Sequence, residues 1–126
     1  MKVARANVSM LTITEAVGTD PIRVITENYG PGKGRIIIQC WDRAWCAAWF
    51  AMGGETIEQF FATSGWDYIL SNLTNGLQGM RKADAKRDEV YVRRIIEAVQ
   101  EVFRQELAQQ APERDPRVPD MFEVTQ

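Results

Sequence analysis

The apolar pattern of this chain changes period once, at Gly53-Gly54, and that change constrains the fold more than any other feature. Before it, apolar and polar residues largely alternate; after it, apolar residues recur every three to four positions. A chain ordered with strands first and helices second is expected to fold as α+β, an antiparallel sheet packed by helices. Its 126 residues suffice for one core without metals or disulfides. We read 1–111 as a single domain and 112–126 as a proline-rich extended tail, since Pro112, Pro116 and Pro119 forbid a helix there.

In the first half, Val8 to Val17 alternates and is rich in β-branched residues, Ile22 to Tyr29 continues the pattern, and Arg35 to Trp41 carries Ile36-Ile37-Ile38. Ile22, Val24 and Thr26 share one face of the second segment, with Arg23, Ile25 and Glu27 on the other. The isoleucine run suits a strand central in its sheet or covered on both faces. Gly30-Pro31-Gly32-Lys33-Gly34 and Asp42-Arg43 are turns, which predicts a meander of about four strands ending with Ala44 to Ala51.

In the second half, Thr56 and Gln59 form a capping box ahead of Ile57, Phe60 and Phe61. A second short helix, Trp66 to Leu73, turns Ile69, Leu70 and Leu73 inward and is closed by Asn75-Gly76. A long C-terminal helix begins between Lys82 and Asp88 and reaches about Gln110. Its stripe of Val92, Ile95, Ile96, Val99, Val102, Phe103 and Leu107 could exceed what one thin sheet covers, which points to a homodimer through this helix.

No histidine is present, which removes Ser-His and Cys-His nucleophile pairs and most zinc sites. No cofactor, metal site or catalytic residue is predicted. The glycine loop before Arg35 departs from a phosphate loop, because Lys33 is followed by Gly34 and a strand where Ser or Thr and a helix are required. Fifteen basic against seventeen acidic residues leave a net charge of −2, so a charged partner must meet a local patch. The N-terminus lacks a signal peptide's apolar stretch, and uncharged runs such as Ala44 to Gly54 are far short of the roughly 20 residues of a bilayer span. The expectation is a soluble intracellular protein with no membrane partner.

Cys40 and Cys46 lack further ligands for a metal and are read as small buried apolar residues. Trp41, Trp45 and Trp49 recur every four residues, a spacing that suits one side of a helix and one face of a strand alike. A turn at Asp42-Arg43 would place Trp45 and Trp49 on one face, with Cys46, Ala48 and Phe50 on the other. Trp66, just ahead of a short helix, is the tryptophan expected to be exposed. Arg81, Lys82, Lys86, Arg87, Arg93 and Arg94 are the only basic concentration, interleaved with acids and allowing i,i+4 pairs such as Arg93 with Glu97.

The ordered series Leu11-Thr12-Ile13-Thr14, Asp20-Pro21-Ile22, Gly30-Pro31-Gly32-Lys33-Gly34-Arg35-Ile36, Cys40, Ala44-Trp45, Trp49, Met52, Phe60-Phe61 and Tyr68-Ile69 resembles a group of small accessory proteins of tailed bacteriophages and prophages. The resemblance spans roughly Leu11 to Leu73 and carries over no catalytic residues. It implies a phage-encoded protein acting in the bacterial cytoplasm, in host modulation or counter-defence.

The favoured expectation is a non-enzymatic protein that binds a host protein through Trp66, Arg87, Tyr91, Arg93 and Arg94. The first alternative is a nucleic-acid-binding module using the Arg81-to-Arg94 face, with Lys33 and Arg35 adding to it. The second is an enzyme built on carboxylates such as Asp42, Glu55 or Asp67, for which convergence in a cleft would be required.

Overall fold

The alternation of Ile22, Val24 and Thr26 with Arg23, Ile25 and Glu27 becomes an alternation of burial across a strand that is paired on both sides. A computed structural model describes residues 1–6, 8–74 and 82–110. Four antiparallel strands, β1 (Ser9–Ile13), β2 (Ile22–Gly30), β3 (Lys33–Cys40) and β4 (Arg43–Trp49), lie in sequence order, so each pairs with its chain neighbour. Ile22, Val24, Ile36, Ile38, Cys40, Trp45 and Trp49 fill one side. Met10, Ile25, Ile37 and Cys46 take the other.

The expected α+β architecture is therefore present, with small corrections at strand ends. β1 is shorter than the Val8-to-Val17 segment, because Glu15 takes a left-handed conformation (φ 64°) and ends the extended run. Trp41 and Asp42 form the turn between β3 and β4, one residue earlier than expected. Pro31-Gly32 joins β2 to β3, with Gly32 at φ 72°, the sign that a type II turn needs at its third position. The backbone of Met52 also donates to the Gly32 carbonyl at 2.9 Å, tying the chain after β4 to this turn.

Three helices cover one side of the sheet: α1 (Ile57–Thr63), α2 (Trp66–Leu73) and α3 (Lys82–Gln110). The Thr56 hydroxyl accepts from the Gln59 backbone at 3.2 Å while the Gln59 side chain accepts from the Thr56 backbone at 2.9 Å, completing the capping box. α1 packs on β2, β3 and α3, and α2 packs on β4 and α3.

Val92, Ile95, Ile96, Val99 and Phe103 of α3 are all buried among these elements. Val102 and Leu107 of the same stripe are half-buried, so most of the stripe is covered within the domain. Asn75-Gly76, Arg81 and the tail 112–126, with Val118, Met121, Phe122 and Val124, lie outside the described residues, as do the side chains of Lys82 and Lys86.

Candidate functional site

α2 begins at Trp66, and its register turns the indole toward α3. There the Arg93 guanidinium lies over the ring, 3.9 Å from its centroid, and Arg93 Nε reaches Glu97 Oε2 at 3.4 Å. A cation over an indole face is attracted by the ring quadrupole. Next to Trp66 on the chain, Tyr68 is 47% exposed, and its hydroxyl accepts from Trp49 Nε1 at 3.0 Å. Trp66 and Arg93 thus meet at the seam between α2 and α3, while Tyr68 turns to the β4 and α1 side of α2, against Trp49 and Phe60.

The five predicted contact residues divide. Trp66 and Arg93 meet directly. Arg87 and Arg94 are exposed on α3, but Arg94 leans away from Trp66 toward the β1–β2 loop, where a Cβ on Gly18 would stand 3.1 Å from its Cδ. Tyr91 is half-buried: its hydroxyl donates to Asp20 Oδ2 at 2.8 Å and lies 3.1 Å from Cys40 Sγ. Burial and these two bonds push its phenol pKa well above the ordinary range.

Two further expectations are corrected. Trp66 is half-buried under Arg93, whereas Trp41 is 80% exposed because the turn holds it at φ 59°. Cys40 is buried as expected, but Cys46 is exposed on the outward face of edge strand β4.

Of the basic residues singled out, those described on α3 stand apart from Lys33 and Arg35. Arg43 of β4 holds Asp88 of α3 with two bonds of 2.6 and 3.0 Å, Arg93 pairs with Glu97, and Arg104 lies 3.6 Å from Glu101. Lys33 and Arg35 sit on β3 with side chains directed away from the helices, so they lie across the sheet from α3. The carboxylates Asp42 and Glu55 are separated by β4, whose seven residues span roughly 20 Å. Among the described residues no cluster of three or more Cys, Asp and Glu side chains could hold a metal ion.

A groove of about 430 Å³ runs between β1, α1 and the end of α3, lined in part by Thr26, Glu58, Phe103 and Glu106. Both oxygens of Glu58 are engaged there, accepting from the Thr26 hydroxyl at 2.7 Å and from Asn28 Nδ2 at 3.0 Å. Asn28 in turn accepts from the Ile57 backbone at 2.8 Å, so this network anchors the start of α1 to β2.

Fold and surface together define a small two-layer α+β protein whose sheet is covered by helices on one side. The chain belongs to a phage protein family: a family model described as a phage family matches residues 1–86. The match supports the resemblance to phage proteins read from Leu11 to Leu73. No curated protein and no solved structure matches the chain. Among the described residues no helix is long and apolar enough to cross a membrane.

Proposed function

We propose that this phage protein is a non-catalytic accessory factor that docks on a protein of the infected bacterium, in its cytoplasm, and modulates the host or counters its defences. The observation that carries this reading is the Arg93 guanidinium set over the Trp66 ring at 3.9 Å. Trp, Tyr and Arg are the residue types that most often dominate binding energy at protein interfaces. An arginine already stacked on an indole loses less side-chain freedom on docking than a free one. Arg87 and Arg94 add exposed cations elsewhere on α3, and Tyr91 ties that helix to Asp20 and Cys40.

The reading is tested by immobilising the full chain, passing a bacterial lysate over it with and without nuclease, and identifying the retained proteins by mass spectrometry. The expected result is a discrete host protein that survives nuclease and is lost with Trp66→Ala and with Arg93→Ala. Retention abolished by nuclease would transfer the arginines to a nucleic-acid role, and retention unchanged in both variants would overturn the Trp66–Arg93 pair as the contact surface.

A further inference from the structure

The side of the sheet turned away from the helices carries a continuous apolar row. Met10 pairs with Ile25, Ile25 with Ile37 and Ile37 with Cys46, so one residue from each strand falls on a line across the whole sheet. Among the described residues, no helix packs on this side. The rows flanking it are polar on β2 and β3, Arg23 and Gln39 toward one end, Glu27 and Arg35 toward the other. Beyond those rows lie aromatic groups at equal distances: Trp41 four residues past Ile37, and Tyr29 and Phe50 four residues past Ile25 and Cys46 in the opposite direction.

The two ends differ in shape. Tyr29 and Phe50 stack with centroids 6.0 Å apart and project as a knob, 48% and 57% exposed. At the other end, Thr12, Asp20, Pro21, Arg23, Gln39 and Trp41 line a groove of about 510 Å³.

We infer that this face binds a second copy of the chain, through a twofold axis running along the Met10-to-Cys46 row. Rotation about that line lays the row on itself and exchanges the ends. Each Tyr29–Phe50 knob then enters the groove beside the Trp41 of the second copy, and each Arg23 meets an opposing Glu27. Gln39 meets Arg35, so no like charges are opposed. A twofold along the strands would set knob against knob and groove against groove. The footprint is roughly 500 Å² per copy from strand spacing and length, about 1,000 Å² in total, the lower range for a specific interface. The dimer is expected to be concentration-dependent.

Cys46 lies on the row and therefore faces Cys46 of the second copy across sheets about 10 Å apart. This supplies the test. The mass of the full chain is followed by light scattering over a concentration series, and the same samples are treated with a short bismaleimide. The expected results are a dimer at high concentration and a covalent dimer that Cys46→Ser abolishes, buried Cys40 contributing nothing. Ile37→Glu should give one-chain mass with an unchanged circular dichroism spectrum.

Because Ile37 is half-buried, a second set removes dependence on its folding. Arg23→Glu should weaken the dimer by about tenfold or more, and Arg23→Glu with Glu27→Arg should restore it to within about threefold, since the opposed charges are exchanged. A one-chain mass at the highest concentration would overturn the inference. So would a dimer that Cys46 does not cross-link, or one that the charge exchange fails to restore.

Discussion

Gln100, 4% exposed in the middle of α3, donates through one nitrogen to the carbonyl of Phe61 at 3.0 Å and to that of Ser64 at 2.8 Å. It closes the C-terminal end of α1 from another helix, satisfying carbonyls that α1 cannot bond internally. Gln100→Leu keeps the volume and removes both bonds. The expected loss is about 1–3 kcal/mol of unfolding free energy, read from urea denaturation, because desolvated carbonyls are left unpaired.

Gly34 allows β3 to pass close beneath α1. A Cβ there would stand 2.8 Å from the Glu27 carbonyl oxygen and 2.9 Å from Ile57 Cβ, neither of which is the end of a flexible side chain. Gly34→Ala is expected to cost about 1–3 kcal/mol by overpacking, with a lower urea midpoint and an unchanged slope.

Tyr91 predicts an alkaline limit. Burial, the bond with Cys40 and the bond to Asp20 raise its pKa above the ordinary 10.0, so the folded chain keeps a proton that the unfolded chain releases. That stabilisation is complete below pH 10.0 and declines as pH rises toward the folded value. Tyr91→Phe should flatten the fall in stability above pH 10.0, while costing about 1 kcal/mol at lower pH through the lost hydrogen bonds. Urea titrations at several pH values check both effects. Tyr29, also raised by burial and by Glu27, leaves a residual slope.

The Arg93–Trp66 pair should register as a coupling between helices. A double-mutant cycle with Arg93→Ala and Trp66→Ala is expected to give about 0.5–1 kcal/mol, and Arg93→Lys should lose most of it because the ammonium lacks a planar face.

What was legible in the sequence followed from periodicity and local chemistry. The alternation through Ile22, Val24 and Thr26, the capping box of Thr56 and Gln59, and the stripe from Val92 to Phe103 each state a local preference that the fold keeps. Parity also set Trp45 and Trp49 on one face of β4 and Phe50 on the other, and the structure makes the tryptophan face the buried one. What depended on contacts between distant segments was not legible. Gln100 reads as a surface residue until the end of α1 is placed beside it, and Trp66 reads as exposed until Arg93 covers it. Cys46 reads as core because cysteine usually is, yet edge strand β4 has nothing packed on its outer side among the described residues. The apolar row from Met10 to Cys46 draws one residue from each strand, so no segment announces it alone.

Strand order equal to chain order has a kinetic consequence. Each hairpin closes over a short turn, so the loop entropy spent before strand contacts form is small. The meander can therefore pair early, while α3 must return across a much greater sequence separation. During synthesis α3 also leaves the ribosome after every strand has done so. Until it docks, the isoleucines and tryptophans it will cover face solvent, and this interval is when the chain is most open to misassociation.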